Sequence, residues 1–154
     1  EKELAFYRSV MVTDADVDGV AINTVELAQG VSEERFQLRI VLTQLPKRKA
    51  KVKANAEVTL LGSQHGKPSS LSLTKLLNKK LAFEFNYFQI MDSDIVLPPG
   101  FSLQRIAVKV IVNQSRGVKG GTIEQIYNVP ELLMGEKELR VILEQNSQVK
   151  DNSQ

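Results

Sequence analysis

The sequence predicts an all-β fold, an antiparallel immunoglobulin-like β-sandwich of about seven strands preceded by the end of an N-terminal helix. Three observations predict it. Hydrophobic side chains recur at every second position along most of the chain after Gly19, as they do in half-buried strands. Turn-forming residues interrupt these runs. The sequence lacks the continuous apolar strands and intervening helices of a parallel sheet, so we expect antiparallel pairing.

The first residues predict a helix. Leu4, Tyr7 and Met11 follow one another at helical spacing, among good helix formers. We therefore predict that residues 1–12 are the end of a helical stem of the coiled-coil kind, which begins upstream. Residues 13–19 are predicted to be an acidic linker loop.

The sandwich is predicted to span residues 20–130. Alternation is clearest in "FQLRIVL", which places Phe36, Leu38 and Ile40 on one face. Other predicted strands are 20–27, 51–62, 80–90, 104–113 and 120–130, while 71–77 is either a short strand or a single helical turn. In the segment 80–90, the residues predicted to share one face are Leu81, Phe83, Phe85 and Tyr87. Residues 131–154 are predicted to form a C-terminal extension, partly disordered.

The stretch "MVTDADVDG" resembles a metal site, because Asp14, Asp16 and Asp18 alternate before a glycine. As a calcium loop it fails, since the closing glutamate, Glu26, comes one residue late. The stretch is also similar to the Toprim motif of topoisomerases and primases, whose aspartates hold magnesium for phosphoryl transfer. That family's upstream acidic motif is absent from this sequence, so we interpret this match as coincidental and the stretch as a solvated loop. The three aspartates remain the candidate metal ligands, and no cofactor is predicted.

Composition lowers the expectation of several activities. The chain of 154 residues has no cysteine, which excludes disulfides, thiolate nucleophiles and zinc–thiolate sites, and its net charge is only +2. The basic run around Lys47, Arg48 and Lys49 has no interleaved aromatic residue, so we predict a solvated hairpin and no nucleic-acid partner. These three residues and Phe88 form a possible contact surface. His65 is predicted to be a turn residue, and no catalytic residue is predicted.

A longer resemblance appears once the strands are in place. The segments that carry it occur in the order "ELAFYRSVM", "GVAINTVEL", "FQLRIVLTQL", "VTLLGSQHGKPSSLSL", "FEFNYFQ", "LPPGFSLQRIAVKV" and "IEQIYNV". In them the chain resembles the C-terminal β-rich domain of a family of uncharacterised proteobacterial membrane-anchored coiled-coil proteins. The resemblance implies an N-terminal anchor in the inner membrane, a coiled coil and a domain that faces the periplasm. It implies no catalytic or ligand-binding residue.

These observations predict a non-enzymatic cell-envelope domain, a protein–protein interaction or assembly module on a membrane-anchored coiled coil. The expected partner is another protein, with homodimerisation through the stem and membrane contact only through the anchor. The alternative is a magnesium-dependent phosphoryl-transfer or nucleic-acid-processing fragment that uses the aspartates of the acidic stretch.

Overall fold

The computed structural model of the protein describes residues 11–12, 19–44, 51–115 and 120–134. Strands dominate these ranges and form two antiparallel sheets, which confirms the predicted all-β sandwich. In chain order the strands are β1 (Met11–Val12), β2 (Val20–Gln29), β3 (Arg35–Gln44), β4 (Val52–Gln64), β5 (Lys67–Ser72), β6 (Leu81–Phe85), β7 (Phe88–Val96), β8 (Phe101–Val112) and β9 (Gly121–Asn128). A short helix α1 (Leu73–Leu77) joins β5 to β6, and α2 covers the helical residues 129–134.

The smaller sheet has three strands in the order β2-β3-β7. The register between β2 and β3 shifts by one residue between Ile22 and Thr24, which marks a β-bulge at Asn23. This bulge explains the spacing of the buried residues in "VAINTVEL". Ile22 is buried before the bulge and Leu27 after it, an odd spacing that a regular strand would place on opposite faces.

The larger sheet has six strands in the order β1-β9-β8-β4-β5, and β6 also pairs with β4. β5 pairs with the second half of β4 and β6 with its first half. The two short strands therefore lie one after the other along the same side of β4, while β8 pairs along the opposite side.

The connectivity is that of an immunoglobulin-like sandwich. If β2, β3, β4, β5, β7, β8 and β9 are assigned to the conventional strands A, B, C, C′, E, F and G, one sheet reads A-B-E and the other G-F-C-C′. The intermediate strand β6 pairs with β4 of the larger sheet and not with β7. Inward-facing side chains of both sheets form one buried hydrophobic cluster, with Leu38 and Ile40 from β3 and Ile106 and Val108 from β8 among its most buried members.

The structure corrects three predictions. Met11 and Val12 pair with β9 and are not the end of a helix, because the sheet edge offers hydrogen-bond partners that an exposed helix end lacks. The segment 80–90 is two strands separated by a bend at residues 86–87, so Tyr87 is exposed and does not share the buried face of Leu81 and Phe85. Residues 91–96, which no predicted strand includes, continue β7. The described strands number nine rather than about seven.

Two further outcomes concern the segment 71–77 and the ends of the chain. The segment 71–77, for which two structures remained open, is helical from Leu73 to Leu77. The predicted stem residues 1–10, most of the acidic loop and the extension beyond residue 134 lie outside the described residues.

Candidate interaction surface on the three-stranded sheet

The outer face of the three-stranded sheet carries two chemically different halves. Because β2, β3 and β7 pair in register, outward side chains form rows across the sheet. From one end to the other these rows are Ala21, Thr43 and Phe88; Thr24, Val41 and Ile90; Glu26, Arg39 and Asp92; and Ala28, Gln37 and Asp94. The first two rows are mainly apolar, and the last two are mainly charged or polar.

The apolar half is the most exposed hydrophobic region that the described residues contain. Six of their large hydrophobic side chains are exposed, and four of these lie on β7 or directly before it. Phe88 and Ile90 are 60% and 44% exposed, and we call these two residues the β7 patch. Clustering of this kind is unlike the singly scattered apolar residues of an ordinary protein surface.

The charged half is organised by one ion pair. Arg39 donates from Nε to Oδ1 of Asp92 over 2.7 Å and from Nη2 to Oδ2 over 3.3 Å. The hydrogen bond from Arg39 holds the pKa of Asp92 below its usual value, and the same bond raises the pKa of Arg39. Both side chains are exposed to solvent, so the pair fixes side-chain positions more than it stabilises the fold.

Asp94 lies in the next row and receives a weaker contact. Gln37 donates from Nε2 to its carboxylate over 3.3 Å. Among the described residues, no lysine or arginine is within ion-pair distance of Asp94. The charged half therefore keeps a carboxylate that a cationic group of a partner could reach.

A cleft of ≈ 610 Å³ lies against the charged half. Residues of β2, β3 and β7 line it, and Glu131 and Leu132 of α2 complete the lining. The Oε2 atom of Glu131 is buried and has no hydrogen-bond partner. It is therefore an acceptor that a donor entering the cleft could satisfy.

The predicted site residues fall into two groups. Asp14, Asp16 and Asp18 lie outside the described residues, and so do Lys47, Arg48 and Lys49, so their predicted roles stay predictions. Where the structure describes the chain, it brings no group of three His, Asp or Glu side chains together in a way that could hold a metal ion.

Phe88 is exposed and belongs to the β7 patch; its role in contacts stays a prediction. His65 occupies the predicted turn between β4 and β5, with φ of 53°. Its backbone N–H donates to the carbonyl of Gly100 over 3.3 Å. Its ring lies so close to Gly100 that a Cβ at that position would meet Cε1 at 2.6 Å. The histidine thus packs the turn between β4 and β5 on the turn between β7 and β8.

Sequence reasoning missed Ile90, Arg39 and Asp92 as surface partners. The missed signal is the alternation of Met91, Ser93 and Ile95, all buried, with the two exposed aspartates between them. Aspartates and serine are typical of loops, and this composition obscured a strand whose outer face is acidic.

Comparisons with known proteins leave the function open. A family model, described as a family of unknown function (DUF6776), matches residues 1–108. No curated protein matches the chain. A solved structure of Pseudomonas fluorescens alkylpurine DNA glycosylase AlkC, bound to DNA containing an abasic site analog, is similar at 18% identity and a TM-score of 0.40, covering 71% of this chain and 30% of that one. In the described part of the chain, no helix is both long and apolar enough to cross a bilayer.

Proposed function

The chain belongs to a family of unknown function, DUF6776, and from its surface we propose that it is a non-enzymatic protein–protein interaction domain that binds through the β7 patch and the adjoining charged half. The observation that carries this proposal is the concentration of exposed apolar side chains on one strand. Water-exposed apolar area gains roughly 25 cal/mol per Å² when it is buried. A partner that covers the patch supplies this gain.

The surroundings of the patch support the same proposal. Protein interfaces commonly combine an apolar, aromatic centre with a polar rim. Here Phe88 provides aromatic area, and the Arg39–Asp92 pair lies two rows from it. The ion pair holds its carboxylate in one position before any partner arrives, which reduces the ordering that binding requires.

The location of the domain is part of the proposal. We infer that it stands on a coiled-coil stem anchored in the inner membrane and faces the periplasm, with the stem as a dimer contact. The resemblance to membrane-anchored coiled-coil proteins supports this. Protease added to spheroplasts that express the full-length protein is expected to degrade the domain; protection until lysis would contradict it.

The interaction is tested by photocrosslinking in the cells from which the gene comes. A photoreactive amino acid replaces Phe88 in one variant and Glu57, exposed on the outer face of the larger sheet, in the control. We expect one defined protein to be crosslinked at position 88 and not at position 57. Equal crosslinking at both positions, or none at position 88, would contradict the proposal.

A matched pair of substitutions sharpens this test. Ile90→Asp places a charge in the patch, whereas Val31→Asp makes the comparable change at an apolar residue that is 103% exposed in the turn between β2 and β3. Ile90→Asp is expected to abolish the crosslink at position 88, and Val31→Asp to leave it. If both act alike, the patch is not the binding surface.

The metal-dependent alternative has its own measurement. Calorimetric titration with magnesium and calcium is expected to give millimolar or weaker binding that Asp16→Asn does not change. Tight binding that this substitution abolishes would support the alternative.

A further inference from the structure

One side of β7 is open in the described structure. β7 is the last strand of the order β2-β3-β7, and where the chain is described no strand pairs with its other side. Gln44 donates its N–H to the carbonyl of Tyr87, and Leu97 donates to Glu34. In an antiparallel pair of strands, every second pair of opposite residues exchanges two backbone hydrogen bonds. The residues between them direct their N–H and C=O groups to the other side of the strand.

This alternation fixes which backbone groups are open. The odd-numbered residues from Tyr87 to Leu97 direct their N–H and C=O groups toward β3. The even-numbered residues direct theirs away from β3. They are Phe88, Ile90, Asp92, Asp94 and Val96. Their side chains also lie on the outer face, so one set of residues supplies both backbone and side-chain contacts to anything that docks there.

The carbonyl of Ile90, which faces away from β3, accepts a hydrogen bond from within the chain. The Nε2 atom of the neighbouring Gln89 donates to it over 3.1 Å. A side chain that bonds to the adjacent backbone is a local substitute for a strand partner. An incoming strand could replace this contact with a backbone N–H.

We propose that β7 accepts an extended segment of a different protein as an additional antiparallel strand, with apolar residues opposite Phe88 and Ile90 and a lysine or arginine opposite Asp94. This inference rests on the proposed function and names its mode of binding. Antiparallel addition is the more stable pairing per residue. The charge of Asp94, which lacks a cationic partner in the described residues, selects the basic side chain.

A second copy of this chain fits the same edge poorly. Symmetric pairing of two β7 strands must place even-numbered residues opposite even-numbered ones. If the pairing centres on Asp92, the two Asp92 carboxylates lie opposite one another, and a shift one way sets Asp92 opposite Asp94. A shift the other way sets Asp92 opposite Ile90. Each of these three registers opposes like charges or a charge and an apolar group, which is unfavourable; the acidic residues thus discourage self-association.

The test titrates the ¹⁵N-labelled protein with synthetic peptides in which every second residue is threonine. One peptide places valine opposite Phe88, Ile90 and Val96 and lysine opposite Asp94. A second has glutamate in place of lysine, and a third has methylated backbone nitrogens on the side that faces β7. We expect the lysine peptide to shift the amide resonances of β7 and to bind at least about fivefold more tightly than the other two.

Two protein variants separate backbone from side-chain contacts. Ile90→Ala truncates the isoleucine side chain. Ile90→Pro replaces that side chain and also removes the N–H that faces away from β3. Ile90→Pro is expected to weaken binding of the lysine peptide roughly tenfold more than Ile90→Ala does. Equal affinities of both variants, indifference to the peptide's charge and methylation, or no shift along β7 would overturn the inference. If these peptides fail while the crosslink at position 88 persists, the patch binds a folded surface and the proposed function stands.

Discussion

The two sheets of the sandwich expose different kinds of edge. In the six-stranded sheet, the side of β4 that faces away from β8 pairs with two short strands of six and five residues, with α1 between them in the chain. Pro68 lies in the first of these strands. In the three-stranded sheet, β7 is a nine-residue strand that carries exposed Phe88, Ile90 and Val96.

Short edge strands, proline and covering helices are common ways to prevent a sheet from pairing with another chain. The larger sheet uses these devices, whereas in the described residues no strand pairs with the outer side of β7, and two aspartates are the charged side chains along it. An added strand is therefore disfavoured at this edge of the larger sheet, whereas the long strand β7 with its exposed apolar residues can accept one. The comparison therefore points to β7, and the following predictions test it from the largest effect to the smallest.

The same substitution at two isoleucines is expected to give the largest difference. Ile106→Ala, at a fully buried position of β8, should lower the free energy of unfolding by about 2–5 kcal/mol because it leaves a cavity. Ile90→Ala, at a residue 44% exposed, should cost less than about 1 kcal/mol. Urea unfolding of both variants measures this. Equal losses would place Ile90 in the core and contradict an open face.

Proline at adjacent positions tests the direction of the backbone groups. Gln89→Pro removes an N–H that faces β3 and should cost about 2 kcal/mol or more, because it breaks a ladder bond. Ile90→Pro removes an N–H that faces away from β3 and should cost clearly less. Thermal unfolding followed by circular dichroism compares them, with Ile90→Ala as the control. A larger loss for Ile90→Pro would show that the outer side of β7 is paired.

The pH dependence of stability is expected to differ between the buried Tyr127 of the larger sheet and the exposed Asp92 of the smaller one. Burial raises the pKa of Tyr127 to about 12, above its usual value of about 10. The stability that the neutral phenol provides is thus fully present below pH ~10 and is lost as the pH rises toward ~12, by up to roughly 2 kcal/mol. Urea unfolding across this range measures the slope, which Tyr127→Phe should flatten. An unchanged slope in that variant would assign the effect to other groups.

The Arg39–Asp92 pair should give the smallest effect on stability. The pKa of Asp92 is lowered by Arg39, so any stability from the pair is present above the usual pKa and is lost as the pH falls through the lowered value. Because both groups are exposed, Asp92→Asn should change the melting temperature little at neutral pH and less still in high salt. A large decrease would show that the pair supports the fold.

Part of this surface could be predicted from the sequence. The sequence predicts Phe88 as a contact residue and His65 as a turn residue, and the structure exposes Phe88 and places His65 in a turn. Ile90 and Asp92 are not predicted as a surface, because the aspartates and serine at positions 92–94 are typical of loops and hide the alternation of the strand. The one-residue bulge in β2 reverses the face that its later side chains occupy, and no local pattern predicts it.

The sequence by itself determined the class of fold, since period-two alternation is a local property that each strand carries in its own residues. Phe36, Leu38 and Ile40 would face a core in any antiparallel sandwich. Only the tertiary structure decided that β6 pairs with β4 and leaves β7 as an edge. Which strand pairs with which depends on contacts between residues far apart in the chain, and no local pattern encodes them. The open side of β7 follows from that choice of partners.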